Sequence, residues 1–346
     1  MSSIKVFDFF SGCGGTSSGF RSAGYDVVYA LDNDELALDS YKANFPNTHT
    51  ELNKIQNVDV KSLKQFMPNR KDPILFCGCA PCQPFSQQNN NKFSEDPRRN
   101  LLSEFSRFVK YWKPEYILVE NVPGLQKLKS EGPFDKFTKQ LKRIGYNVSY
   151  EVIPASGFGV PQRRERLVLL ASLIIDIKLP ELTHGPNKNL PCSTVKDWIY
   201  NLPKLDAGET SQVDPDHRAA KLSPLNLKRI KHTPEGGSRE SWPEELWLDC
   251  HKNYNGHTDV YGRLSWDKPA SSLTTKCTSL SNGRFGHPEE DRAISIREAA
   301  CLQTFPRNYK FKGGLQSKSR QIGNAVPPLM AQRIAESILE QHNSGT

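Results

Sequence analysis

Cys82 is held between two prolines in Gly78-Cys79-Ala80-Pro81-Cys82-Gln83-Pro84-Phe85-Ser86, just after the apolar run Pro73-Ile74-Leu75-Phe76-Cys77. Proline fixes φ, so such a loop can aim one sulfur with little conformational freedom left to lose. A nucleophilic thiol is the chemistry this placement suits. Two other readings stay open on the same residues: a small buried hydrophobe, and a metal site using Cys77, Cys79 and Cys82. Against the metal, no fourth Cys or His follows at ligand spacing. Glu120 ends a second apolar run, Tyr116-Ile117-Leu118-Val119, where a carboxylate can exchange protons or hydrogen bonds with a substrate. Gln162-Arg163-Arg164-Glu165-Arg166 adds guanidinium donors. If a strand begins there, alternation puts Arg164 and Arg166 on one face, and Arg163 and Glu165 on the other.

A ligand turn stands near the start. The apolar stretch 5–10 runs into Ser11-Gly12-Cys13-Gly14-Gly15-Thr16. A helix over 17–23 with Gly24 as its stop and a strand over 25–31 ending at Asp32 are expected next. Glycines allow a tight turn, a helix N-terminus favours a negative group, and an acid 20 residues beyond Gly12 suits ribose hydroxyls. Ser17 stands where the third glycine of the dinucleotide fingerprint belongs, so a nucleoside cofactor without pyrophosphate fits better than a nicotinamide.

These groups need a frame, and the sequence predicts one. Strand, glycine turn, helix, strand and acid open a doubly wound α/β sheet. Strands are expected at 73–77 and 116–119, with an antiparallel edge pair at 147–153 and 166–172. Leu101, Leu102, Phe105, Phe108, Val109 and Trp112 recur at helical spacing and mark a core-facing helix. The piece 45–50 reads as turn-rich, and Asn53 reaches the edge of the same pocket. The polar stretch 87–99, ending in Arg98-Arg99, reads as a lid over the substrate.

The 346 residues suffice for a large and a smaller domain. A net charge of +8 and a pI near 9.0 favour a polyanionic partner. The 8 cysteines show no paired framework, and the start, Met1-Ser2-Ser3-Ile4-Lys5, does not read as a signal peptide. The longest apolar stretch, 167–175, is too short to cross a bilayer. A cytoplasmic protein without membrane contact is expected.

Six stretches, in order, resemble the motifs of the DNA cytosine-5 methyltransferase family. They are Asp8-Phe9-Phe10-Ser11-Gly12-Cys13-Gly14-Gly15, Pro81-Cys82-Gln83, Glu120-Asn121-Val122, Gln162-Arg163-Arg164-Glu165-Arg166, 263–275 with Pro269 and Leu273-Thr274, and Gly323-Asn324-Ala325-Val326-Pro327. The resemblance implies a class I, Rossmann-like, S-adenosylmethionine-dependent methyltransferase fold. It implies a doubly wound mixed sheet over 1–182 and 308–346, and a smaller target-recognition domain over 183–307. Cys82 matches the catalytic cysteine, Glu120 the acid, and Arg164 and Arg166 the groups that hold the base and the substrate backbone. Cofactor contacts are implied at Phe10, Gly12, Gly14, Asp32, Asn33, Leu101, Asn324 and Ala325. The sequence departs from some relatives at Asn33, where a bulky residue often stacks on adenine. Duplex DNA is the implied substrate, a restriction nuclease a functional partner, and a monomer the expected state. Transfer RNA methylation and an inactive DNA-binding relative are the alternatives.

Within 183–259 the character changes to more proline, charge and tryptophan. On the residues alone Lys228, Arg229, Lys231 and His232 read as a solvated helix face; with the resemblance they, and Glu235-Gly236-Gly237-Ser238-Arg239, are candidate phosphate and base contacts. Trp242 and Trp247 read as a small core. Ser281-Asn282-Gly283-Arg284-Phe285-Gly286-His287 reads as a DNA-facing loop. Cys250, His251 and His257 lack a C-x-x-C, so no metal is expected. The last helix, over 328–340, carries Leu329, Ile334 and Ile338 toward the first domain.

Overall fold

The computed structural model describes residues 4–67, 72–80, 101–127, 132–252 and 258–345. These fall into two compact units, one of 1–154, 165–181 and 326–346, the other of 155–164 and 182–325.

The first unit is built on apolar runs too hydrophobic to leave in water. Strands β1 (Lys5–Phe9), β2 (Asp26–Asp32), β3 (His49–Leu52), β4 (Ile74–Gly78) and β5 (Tyr116–Asn121) lie parallel. Strand β6 (Asn147–Pro154) forms the far edge and β8 (Glu165–Ser172) runs antiparallel between it and β5. The order is β3-β2-β1-β4-β5-β8-β6. It reverses between β1 and β4, and ligands of doubly wound sheets bind outside the strand ends at such a point. The expected edge pair is therefore present. Strand β3 was expected as a turn; its residues, HTEL, are half-exposed on an edge and carry no apolar alternation.

Helix α1 (Gly15–Ser22) follows the glycine turn, and α10 (Pro328–Gly345) packs against it. A Cβ on Gly19 would stand 2.3 Å from Pro328 O and 2.6 Å from Ala331 Cβ, so only glycine admits this approach. Ile334 and Ile338 are buried and Leu329 half-buried, as the apolar spacing predicts. Helices α2 (Glu35–Asn44), α3 (Leu101–Trp112) and α4 (Pro133–Ile144) complete the cover, with Phe105 and Phe108 of α3 against Phe9.

The second unit is loop-rich, with short helices α5 (Val195–Ile199), α7 (Asp249–Lys252) and α8 (Ile296–Leu302) among its loops. Its strands β7 (Gln162–Arg163) and β9 (Ala270–Ser271) pair in parallel. Helix α6 (Pro224–Lys231) covers a core of Ile230, Trp242, Leu246, Tyr261, Leu280 and Ala293, with Trp247 packed alongside. Both tryptophans thus serve as expected. The boundaries differ from 183–307. Residues 155–164 join this unit because Gly157 O accepts from the backbone N–H groups of Thr183 and His184, and Pro161 O from that of Ala270. Residues 308–325 join it because Tyr309 and Phe311 stack with Phe305 and Lys318 pairs with Asp216.

Buried Arg263 donates to Ile230 O, Thr233 O, His287 O and Glu290 O, so the 263–275 motif ties together the loops of this unit. In the expected DNA-facing loop, Phe285, Gly286 and His287 are buried, and Arg284 pairs with Asp259 and donates to the carbonyls of Gly236 and Gly237. Among the described residues no helix is long and apolar enough to cross a membrane.

Candidate active site

Strand β1 ends in a sharp reversal. Phe10 takes φ 62°, Gly12 φ 53° and Gly14 φ 94°, and Phe10 leans on the sheet core. The turn is held from β2: Ser11 N–H donates to Leu31 O at 3.0 Å, and Gly12 N–H to Asp32 Oδ2 at 2.7 Å. The other oxygen of Asp32 accepts from Asp34 N–H at 2.9 Å. Burial raises the Asp32 carboxyl above its ordinary value, opposed by these backbone donors. Space within 4 Å of a Cβ on Gly12 is empty. Next door, Ser11 Oγ and Asp8 Oδ1 are buried with no hydrogen-bond partner among the described residues.

Asp8 opens the first of the six motifs, and the sequence assigns it no role. Its Oδ2 accepts from Ser17 Oγ at 2.6 Å, and Ser17 Oγ accepts from Tyr41 OH at 2.8 Å. Burial pushes its pKa up to about 7.

Strand β4 lies beside β1, with Phe9 paired to Gly78, and carries the chain toward the cysteine loop. Cys82 itself, with the lid stretch 87–99, lies outside the described residues. The approach to it is anchored, because Asn121 Nδ2 donates to Ala80 O at 3.1 Å. Burial drives the thiols of Cys77 and Cys79 well above the usual range, which keeps both protonated.

The register explains how Glu120 finds its partner. Glu120 of β5 stands opposite Val168 of β8, and Arg166 precedes Val168 by two residues on the same face. Arg166 is therefore the diagonal neighbour of Glu120. Its Nε lies 2.7 Å from Glu120 Oε1, both side chains being largely buried. The contact is off the N–H axis, so it joins charges while leaving Oε1 without a hydrogen bond.

Arg164 departs from its expectation. The alternation needs one continuous strand, but β8 begins at Glu165 and Arg164 belongs to the second unit. There it is buried and donates to Leu273 O at 3.0 Å, Gly323 O at 3.1 Å and Ala325 O at 3.3 Å. It ties backbone segments of this unit together. Gln303, which no sequence signal singled out, shares the task by donating to Ala325 O at 2.5 Å.

The remaining cofactor candidates divide. Phe10, Gly12, Gly14, Asp32 and an exposed Asn33 lie together at the ends of β1 and β2. Leu101 opens α3, half-buried on the same core. Asn324, exposed, and Ala325, half-buried, belong to the second unit at the end of helix α9 (Leu315–Asn324).

The model of the C-5 cytosine-specific DNA methylase family matches residues 4–340. The chain belongs to this family. Type II methylase M.HgiDII of Herpetosiphon aurantiacus is 43% identical over 339 residues, covering 96% of this chain and 94% of its own. Type II methyltransferase M1.HphI of Haemophilus parahaemolyticus is 34% identical over 345 residues, covering 99% and 88%. Among solved structures, a DNA modification methyltransferase encoded within an E. coli prophage matches with TM-score 0.77 at 25% identity, over 99% of this chain and 100% of its own. Dnmt2 of S. pombe, at 20% identity, covers 98% of this chain and 99% of its own with TM-score 0.62, and shows the shared fold. The protein is thus a DNA cytosine-5 methyltransferase, with the methyltransferase sheet that the sequence leads one to expect.

Proposed function

We propose that this methyltransferase acts on a flipped-out cytosine in a specific duplex DNA sequence, through covalent addition of Cys82 to C6. The observation that carries the reading is the Glu120–Arg166 pair at the end of β5, beside the strand that leads into the Pro81-Cys82 loop. S-adenosylmethionine is the methyl donor in this reading. The residues present fit it: an acid at the end of β2, an open glycine turn, and two buried polar atoms in want of partners. Asp32 would take the ribose hydroxyls, with Phe10, Gly12, Gly14, Asn33 and Leu101 around the rest. When bound, the cofactor supplies an electrophilic methyl group.

Cytosine C5 is a poor nucleophile, and the chain's residues supply what it lacks. A thiolate at Cys82 forms a bond to C6, and the electrons of the 5,6 double bond become available at C5. Glu120 faces N3 and the exocyclic amine, where charge changes as the bond forms. Arg166 donates to O2. Once C5 is methylated, its proton leaves to a base, the S–C6 bond breaks, and the double bond and the free Cys82 sulfur return. The base must leave the stack for these contacts. The names of the Type II relatives favour a nuclease as functional partner. A monomer in the cytoplasm completes the reading.

Duplex DNA containing 5-fluorocytosine tests it, because fluorine cannot leave C5 as a proton does. With S-adenosylmethionine, an SDS-stable adduct is expected that vanishes in Cys82→Ser and without cofactor. An adduct with hairpin RNA alone, or none with cofactor binding intact, overturns the reading.

A further inference from the structure

Helix α6 presents a basic edge that the protein itself does not use. The stretch 221–234 holds Lys221, Lys228, Arg229 and Lys231 and not one Asp or Glu. Its cations part company on folding. Arg229 turns inward, donating to Leu246 O at 3.0 Å with its guanidinium 5.2 Å from the Trp242 ring centre. Lys228, Lys231 and His232 stay exposed. Among the described residues neither lysine has an ion-pair partner.

Exposed cations near a helix C-terminus often serve its dipole and free carbonyls. Here three of the last-turn carbonyls are already taken. Ile230 O accepts from buried Arg263, Arg229 O from Thr233 Oγ1, and Lys228 O from the His232 ring. Since a carbonyl only accepts, His232 Nδ1 carries the proton of that bond, and the ring is spent on its own helix. Lys228 and Lys231, three residues apart, share a face with a rise of about 4.5 Å between them. A DNA strand offers a phosphate about every 3.4 Å along its axis, within reach of two such flexible side chains.

We propose that the Lys228–Lys231 edge of α6 docks on the phosphate backbone of duplex DNA, fixing the position of the second unit on the substrate without reading its sequence. This rests on duplex DNA being the substrate. The role is electrostatic, so its signature is a change in salt dependence.

The experiment compares wild type with Lys228→Gln/Lys231→Gln and Lys228→Arg/Lys231→Arg. Duplex binding is measured by fluorescence anisotropy between 50 and 200 mM salt, on DNA of random sequence and on the methylated target. Two lost phosphate contacts should lower the slope of log affinity against log salt by about two. Across that range the wild type should then lose about tenfold more affinity than the glutamine variant. The shortfall should be equal on both duplexes, and the arginine variant should keep the wild-type slope. An unchanged slope in the glutamine variant, a loss confined to the target duplex, or loss accompanied by a lower melting temperature each overturns the proposal. Wild type that binds hairpin RNA and no duplex overturns the substrate reading as well, whereas a flat slope with duplex binding intact refutes only the docking edge.

Discussion

Arg166 Nε stands 2.7 Å from Glu120 Oε1, a diagonal pair between antiparallel strands β5 and β8. The pairing comes from register alone, so it is present before any substrate arrives. Removing either partner has different consequences. Arg166→Met strands a largely buried carboxylate and should cost about 3–5 kcal/mol, whereas Glu120→Gln removes the acid's charge and should cost less. Both should lower kcat by at least about a hundredfold. Denaturant midpoints and single-turnover methylation separate the two effects.

Asn121→Ala should reduce catalysis without touching the reacting groups. It removes the donor to Ala80 O, two residues before Cys82, and leaves that carbonyl unpaired at a cost of about 1–3 kcal/mol. Formation of the 5-fluorocytosine adduct should slow while cofactor affinity, measured by calorimetry, holds.

Asp8 should make stability depend on pH in an unusual direction. Its pKa rises from an ordinary 3.8 to about 7 on folding, because burial disfavours the charge. The folded state therefore holds the proton more tightly, and stability falls as pH rises through that window. The full effect is up to about 4 kcal/mol, present below pH 4 and lost by about pH 8. Urea midpoints at intervals from pH 5 to 8 should decline for wild type, and the decline should be shallower in Asp8→Asn. Parallel profiles would falsify the assignment.

Gly19→Ala should destabilise by about 1–3 kcal/mol, since the new methyl would meet the backbone of α10 at Pro328. A lower melting temperature with an unchanged second unit, followed by hydrogen exchange, is the expected outcome.

The parts of this protein legible in its sequence are those where one local pattern decides. Apolar runs marked β1, β2, β4, β5 and β8, and Gly12, Gly14 and Asp32 marked the turn that leads from β1 into α1 and its anchor at the end of β2. Strand β3 escaped because an edge strand of polar residues needs no such run. Arg164 was misplaced because alternation assumes a continuous strand, and the chain changes unit between Arg164 and Glu165. Charge alone placed Arg229 with Lys228 and Lys231, although aromatic rings and a carbonyl accept its guanidinium in the core. Gln303 joins Arg164 at Ala325 O only through tertiary packing, which no spacing records.

The contact of α1 with α10 sets a clock on synthesis. Tyr25 OH bonds Ala335 O across 310 residues of chain. At roughly 5–20 residues per second, about 15–60 s separate the emergence of these partners. Throughout that interval the face of α1 that will receive α10 is uncovered, next to the turn proposed to hold the cofactor. A nascent chain thus cannot finish its first unit until α10 has emerged.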